Sequence, residues 1–467
     1  MDRYQNIVIG SGEGGKFIAW HLAKSGQKTA VIDRRYIGGS CPNINCLPSK
    51  NEVWSAKVAS MIHQARKYGF DITAPKIDMT AVRRRKREMV DGLVALHLEK
   101  YKASGAMLIM GEARFVGPKT LEVRLNEGGT QTMEAERIFL NIGTRPAIPA
   151  VPGLAESKPM SNIDLLEINR LPEHLVVIGG GYVGLEFAQA YRRFGSRVTI
   201  IQRDSQLLSG EDADVVAEVH SFLADEGIDT VLSSETRNVK GRSGERVTLE
   251  VAGKSRSQTQ IIEATDILVA TGRIPNTSGI GLDVAEVALD AAGYIRVNDR
   301  LQTTAANIWA IGECAGSPQF THVSYDDYRV IADNLAGGSR STTGRLIPSV
   351  LFTDPPVAHV GLSENDARRQ GISYRLAKRP MSATLRTRTI DETRGFAKAL
   401  IGDDDRILGF TMVGPESGEV MAVVQIAMQA NQPYQTLRDS IIAHPTMAEG
   451  LTDLFGAVQP KGRVSAA

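Results

Sequence analysis

Two copies of one short pattern constrain the folding of this chain more than any other feature. In the first copy the apolar run Asn6-Ile7-Val8-Ile9 leads into Gly10-Ser11-Gly12-Glu13-Gly14-Gly15, followed by Phe17, Ile18, Leu22 and Ala23 at helical spacing. A second apolar strand, Lys28-Thr29-Ala30-Val31-Ile32, ends at Asp33. The same order returns at Leu175-Val176-Val177-Ile178, Gly179-Gly180-Gly181-Tyr182-Val183-Gly184, a helix through Leu185, Phe187 and Ala188, and Arg197-Val198-Thr199-Ile200-Ile201. Strand, glycine turn, helix and strand in this register predict a parallel α/β sheet built twice. In each copy the glycines have separate tasks. Gly10 and Gly179 permit the tight turn, Gly12 and Gly181 let a pyrophosphate approach the N–H groups of a helix N-terminus, and Gly15 and Gly184 let helix and strand pack closely.

The two copies differ where the second strand ends. Asp33 lies roughly twenty residues beyond Gly12, where a carboxylate takes the ribose hydroxyls of a dinucleotide, so the first unit reads as FAD-like. The second unit places Gln202 there, with Arg203 beside it. Loss of the carboxylate next to an arginine accommodates a 2'-phosphate. The second site therefore reads as a nicotinamide nucleotide site, NADPH being favoured and NADH the alternative. Arg203 also admits the reading of an ordinary surface arginine.

Between the two units lies Gly38-Gly39-Ser40-Cys41-Pro42-Asn43-Ile44-Asn45-Cys46-Leu47-Pro48-Ser49-Lys50, which holds two of the three cysteines. A glycine turn running into a helix puts Cys46 in an early helical turn, and two thiols this close form a reversible disulfide. Half of a zinc site would require a second pair of Cys or His ligands at short spacing, and Cys314 alone does not supply it. A redox-active dithiol is the expectation. Three cysteines in 467 residues suit a reducing compartment, where a close pair is catalytic rather than structural. The N-terminus enters its first strand with no room for a charged leader, and no run reaches the roughly 18 apolar residues of a membrane helix. These features point to the cytoplasm. A net charge of +1 offers no global field for nucleic acid or an anionic membrane, and the basic run Arg83-Arg84-Arg85-Lys86-Arg87 reads as a solvated helix face.

Two further strand-to-turn crossings, Ile138 to Pro146 around Gly143 and Ile267 to Asn276 around Gly272 and Arg273, read as transfers of the chain between domains. Ile308-Trp309-Ala310-Ile311 ends in Gly312 and Glu313 ahead of a helix that begins near His322. Glu313 reads either as a ligand to a cofactor hydroxyl or as a charge favourable to a helix N-terminus. From Arg345 onward the glycine turns stop. Val350 to Phe352, Val357 to Val360, Gly395 to Ile401 and Ile407 to Val413 read as antiparallel strands, followed by a helix over about 416–431. His444 and Glu449 close this region, and a carboxylate holding an imidazole raises its pKa and orients its proton. The length predicts about three domains. We divide them as a first unit over 1–149 completed by 273–344, a second over 150–272, and a C-terminal α+β domain over 345–467.

In this order, with C-x4-C followed by Pro-Ser-Lys and a terminal His-Pro-Thr-x-x-Glu, the whole chain resembles the class I pyridine nucleotide-disulfide oxidoreductases, the flavoprotein disulfide reductases that include glutathione reductase, lipoamide dehydrogenase and mercuric reductase. The resemblance implies two Rossmann-like domains, for FAD and NAD(P), with a C-terminal dimerisation domain. It implies that Cys46 is the thiolate facing the flavin and Cys41 the thiol that attacks substrate. It places Lys50 beside the flavin in a pair with Glu186, makes Tyr182 the gate of the nicotinamide pocket, and assigns Gly143, Gly312, Glu313 and Thr321 to FAD and Gly272 and Arg273 to the nicotinamide nucleotide. His444 and Glu449 become an acid-base pair supplied across a homodimer interface. The family usually carries aspartate at Glu313.

The substrate implied is a small disulfide. Glu13 and Trp20 stand where glutathione reductase has serine and arginine, which disfavours glutathione disulfide. Trp20 matches trypanothione reductase, whereas Phe17 replaces a glutamate of that enzyme. The segment Met447 to Leu451 is similar to the mercuric reductase branch, so a soft-metal reductase acting on mercuric or copper ions is one alternative; residues 461–467, however, carry no cysteine pair for mercuric ion. A lipoamide dehydrogenase-like component of a multienzyme complex is the other alternative, against which Gln202 and Arg203 weigh. A flavin-binding scaffold with a structural cysteine pair is a non-enzymatic reading.

Overall fold

The computed structural model describes residues 1–73, 76–253 and 259–460. The expectation concerning 461–467 therefore lies outside the described residues. The strand Asp2–Ile9 runs parallel to Thr29–Asp33 on one side and to Thr130–Leu140 on the other, with Ile308–Ala310 parallel beyond it. Met107–Gly117 and Thr120–Leu125 complete this six-stranded sheet. Ile7, Val8, Ile138 and Phe139 are fully buried, as expected of central parallel strands covered on both faces. A second, wholly parallel sheet has the order Asp266–Val269, His174–Ile178, Arg197–Ile201, Asp229–Val231.

The repeat seen in the sequence is a repeat in space. A Cβ on Gly10 (φ +97) would lie 2.2 Å from the carbonyl oxygen of Asn141, and one on Gly179 (φ +113) would lie 2.4 Å from that of Ala270. Further along, a Cβ on Gly15 or Gly184 would meet the carbonyl oxygen of Gly10 or Gly179 at 2.2 and 2.1 Å. Both turns thus exclude side chains at the same two points, so each helix starts pressed against its own strand.

The two chain crossings pair with each other. Thr144–Pro146 and Arg273–Pro275 form a two-stranded antiparallel ribbon. Ser234–Arg242, Arg246–Gly253 and Thr259–Ala264 form a three-stranded antiparallel sheet that the sequence reading did not identify. In the C-terminal region five antiparallel strands run in the order Ser349–Leu351, Val357–Gly361, Ile407–Val413, Phe396–Ile401, Arg375–Pro380, and the helix Ser417–Gln429 packs on them. Four were expected. The fifth, Arg-Leu-Ala-Lys-Arg-Pro, is a charged edge strand, a composition that suits an edge and hides the strand from a hydrophobic pattern. Among the described residues no helix is long and apolar enough to cross a membrane.

The basic run Arg83 to Arg87 requires a correction. It lies on the helix Met79–Ser104, but Lys86 is only 1% exposed and its ammonium meets Glu52 at 2.8 Å and the carbonyl of Leu166. Burial lowers the Lys86 pKa against the pull of Glu52. Arg83 and Arg87 pair with Glu167. The run therefore bolts this helix to the cysteine-bearing helix. Lys86→Ala would strand the Glu52 carboxylate in the interior, and we expect it to cost about 3–5 kcal/mol in urea unfolding. The double variant Lys86→Met with Glu52→Leu, which removes both charges, is expected to recover most of that loss.

Candidate active site

The two cysteines sit directly on the first glycine turn. Gly39 has φ +80, and a Cβ there would lie 2.4 Å from the Cα of Gly12. Cys41 lies in the short helix Ser40–Ile44, which Asn43 ties to the carbonyls of Ile37 and Gly39, and Cys46 is the first residue of the helix Cys46–His63. Both are half-buried free thiols. Cys46 Sγ lies 3.2 Å from Thr321 Oγ1.

The two thiols are electrostatically unequal. Cys46 is lowered to about 6, first by a hydrogen bond with Cys41 and then by Thr321 and the charge of Lys50, while burial opposes the shift. Cys41 is pushed strongly upward by the same hydrogen bond and by burial, with a smaller contribution from Glu13. The pair therefore holds one negative charge, and that charge resides on Cys46. Cys314 is fully buried and raised to about 11, so it stays an inert thiol.

One helical turn beyond Cys46, Lys50 Nζ meets Glu186 Oε2 at 2.6 Å. Glu186 belongs to the helix Tyr182–Phe194, and its other oxygen accepts the backbone N–H of Phe352 at 3.0 Å. The Lys50 ammonium also lies 4.8 Å from the centroid of the Phe352 ring. The cysteine-bearing helix, the helix of the second glycine turn and the start of the C-terminal sheet thus converge on the charge beside the thiols. Tyr182 precedes Glu186 by one turn on the same helix face, its hydroxyl 3.2 Å from Glu211 Oε1 and 3.5 Å from Ser349 Oγ.

The first glycine turn is held by side chains. Gly14 N–H donates to Ser324 and Gly15 N–H to Asn141. Asp33 accepts Ser11 N–H and Oγ–H at 2.8 and 2.6 Å and the N–H groups of Arg35 and Tyr36 at 2.9 Å, so it shapes the loop around the expected ribose position. Gly312 N–H donates to Asp327. Glu313 is bonded to Thr144 and lies 3.3 Å from Arg273 Nε, which places Arg273 on the ribbon between the two sheets. Added Cβ atoms at Gly143, Gly181 and Gly272 would meet nothing within 4 Å, leaving room for a ligand along both turns. With a helix N-terminus at each turn, the residues present fit a dinucleotide at both places.

In the second unit Gln202 Oε1 accepts Gly180 N–H at 2.9 Å, a bond that links strand end to glycine turn. Its Nε2 donates to Asp204. Arg203 is 73% exposed, 3.7 Å from Asp204. At the far end of the chain His444 Nδ1 lies 2.8 Å from Glu449 Oε2, and the imidazole is 63% exposed. Neither cysteine hydrogen-bonds to His444 within the chain. Glu13 pairs with the buried Lys16 at 2.7 Å, and Lys16 in turn lies 3.0 Å from His97 Nε2.

Of the residues named from the sequence, the structure joins Cys46 to Cys41 and Thr321 and Lys50 to Glu186, and places Tyr182 one helical turn before Glu186. The sequence reading missed Asn141, Ser324, Glu211, Ser349 and Phe352. Asn141 follows an apolar strand next to a glycine turn, which is a usable signal; the other four carry none that is local.

Similarity to known proteins extends over both glycine-turn units and the C-terminal region. Residues 4–327 match the family described as pyridine nucleotide-disulphide oxidoreductase, and residues 347–455 match its dimerisation domain. The chain is 34% identical over 466 residues to the probable pyridine nucleotide-disulfide oxidoreductase RclA of Escherichia coli strain K12, covering 98% of this chain and 100% of that protein. It is 35% identical to the mercuric reductase of Acidithiobacillus ferrooxidans (95% and 80% covered) and 31% identical to the mitochondrial dihydrolipoyl dehydrogenase of Pisum sativum (98% and 92% covered). Among solved structures, the Cu(II) complex of the HOCl-induced flavoprotein disulfide reductase RclA from Escherichia coli superposes with a TM-score of 0.89 at 34% identity, covering 98% and 100% of the two chains.

Proposed function

Since the chain belongs to the pyridine nucleotide-disulphide oxidoreductase family, we propose that it is a FAD-dependent, NADPH-preferring reductase of a small disulfide, working through Cys41 and Cys46 as a homodimer. NADH is the alternative donor. The observation that carries this reading is Cys46, a half-buried thiol lowered to about 6 and set between Thr321 and the Lys50–Glu186 pair. Bound FAD supplies acceptance of a hydride from the nicotinamide and return of an electron pair to a disulfide.

The chain's own residues do the rest. Gly10, Gly12, Gly15 and the loop set by Asp33 hold FAD, with Gly143, Gly312, Glu313 and Thr321 along its length. Gly179, Gly181, Gly184, Gln202, Arg203, Gly272 and Arg273 hold the nicotinamide nucleotide. Lys50 favours the electron-rich form of the flavin by its charge, and Glu186 fixes that charge in place. The Cys41 thiolate attacks one sulfur of the substrate, forming a mixed disulfide and releasing the first thiolate. His444 of the second subunit gives that thiolate a proton. The Cys46 thiolate then attacks Cys41 Sγ, which releases the second half of the substrate as a thiolate that takes its proton from solvent, and closes the Cys41–Cys46 disulfide. Because Cys41 is held strongly in its thiol form, it requires a base, and His444 with Glu449 provides one.

A second reading is soft-metal reduction. It is favoured by the adjacent thiols and by similarity to a mercuric reductase and to a relative solved as a Cu(II) complex. A panel of disulfides, dihydrolipoamide, Hg(II) and Cu(II), each assayed with NADPH and with NADH, separates these readings; turnover of metal ions alone would overturn the disulfide assignment. Arg203, exposed beside the second glycine turn, is the proposed 2'-phosphate contact. We expect Arg203→Ala to raise the KM for NADPH by roughly tenfold and that for NADH by less than about twofold. Equal changes would remove Arg203 from the 2'-phosphate site.

A further inference from the structure

Tyr182 is half-buried and held at its hydroxyl. Its hydroxyl reaches Glu211 Oε1 at 3.2 Å and Ser349 Oγ at 3.5 Å, and its ring lies 6.4 Å from that of Phe320, the residue before the Thr321 that touches Cys46. Its own helix carries Glu186 one turn later, bonded to Lys50. The ring therefore closes the approach to the Lys50–Glu186 pair from the side of the second glycine turn. Burial, together with the Glu211 charge, keeps the hydroxyl a phenol, which can act as the donor to that carboxylate.

Glu211 is itself anchored by residues of the C-terminal region. Its carbonyl accepts from Asn365 Nδ2 at 3.3 Å. The next residue, Asp212, is buried and accepts the N–H groups of Glu364 and Asn365 at 3.0 and 2.9 Å. The fully buried Lys398 ammonium binds Asp212, Asp214 and Glu364 at 2.8, 2.7 and 2.9 Å. Lys398 lies on a strand of the C-terminal sheet and Glu364 begins a helix beside it. A buried cation among three carboxylates fixes this backbone firmly, because displacing any one partner leaves an uncompensated buried charge. Glu211 thus projects from a fixed rail toward the Tyr182 hydroxyl.

We propose that Glu211 is the catch of this door: by accepting the Tyr182 hydroxyl it holds the ring across the pocket until a nicotinamide nucleotide displaces it. The inference rests on the reading that this pocket takes the nicotinamide. Glu211 is a positioning residue that acts through Tyr182, and it sets nucleotide affinity. When only a fraction of molecules is open, apparent affinity falls by that fraction. Releasing the catch should therefore tighten nucleotide binding.

Calorimetric titration of the oxidised, FAD-loaded protein with NADP+ and NAD+ tests this. Glu211→Ala and Tyr182→Phe are each expected to lower the Kd by roughly two- to tenfold, the range of one released hydrogen bond. The double variant should bind no more tightly than either single one, since both break the same bond. Glu211→Gln, which keeps an acceptor oxygen, should stay near the parent value and guards against a general effect of substitution on folding. An unchanged Kd in Glu211→Ala, or single effects that multiply in the double variant, overturns the catch while leaving the reductase reading intact. A parent protein that binds neither nucleotide overturns both.

Discussion

Replacing Cys46 by serine is expected to abolish the long-wavelength thiolate-to-flavin absorption of the NADPH-reduced protein and to lower turnover on disulfides by about a thousandfold or more. The argument is one of charge. The dithiol holds a single negative charge, placed on Cys46 by the Cys41 hydrogen bond, Thr321 and Lys50. A serine hydroxyl remains neutral in the same surroundings, so neither the absorption nor the closing attack on Cys41 survives. Cys41→Ser should behave differently, losing turnover but keeping the band, because its hydroxyl still donates to the Cys46 thiolate. The pH dependence follows from the same lowering. An acid whose pKa falls is ionised further down the pH scale, so the band in the parent should persist through neutral pH, reach half intensity near pH 6 and fade below it. A band that survives in Cys46→Ser, or one that appears only above pH 8, would reverse the assignment of the two thiols.

That assignment shows how far local sequence carries and where it stops. The glycine turns, the C-x4-C segment and the helix after it are contiguous patterns, and each folds as its spacing requires because its partners lie within one strand–helix–strand unit. Lys50 and Glu186 are 136 residues apart, and their meeting was legible only through resemblance. Lys86 was misread for a physical reason. Its neighbours in sequence are arginines that stay partly or fully exposed, whereas its burial is decided by Glu52 and the Leu166 carbonyl on other elements. The same holds for Glu211, an acidic residue in a polar stretch whose role appears only when the C-terminal sheet fixes its backbone. Asp33 lies between these cases. Its position at a strand end was readable, but its four hydrogen bonds to Ser11, Arg35 and Tyr36 became visible only in the fold.

The position of His444 leads to the second large effect. The imidazole is mostly exposed, is oriented by Glu449, and makes no hydrogen bond to either cysteine of its own chain. In the proposed mechanism a second subunit brings this imidazole to the dithiol, and residues 347–455 match a dimerisation domain. His444→Ala should slow disulfide turnover by about a hundredfold to ten-thousandfold while leaving reduction of the protein by NADPH unchanged. Co-expression of two inactive chains, Cys41→Ser and His444→Ala, with separable tags then decides where the imidazole acts. In a mixed dimer, one site pairs the intact cysteines of the His444→Ala chain with the intact His444 of the other chain, and the second site lacks both groups. If His444 acts across the interface, the purified mixed dimer should recover about half the activity of the parent, whereas each homodimer stays inactive. If His444 serves the cysteines of its own chain, each site in the mixed dimer lacks one group and no activity returns.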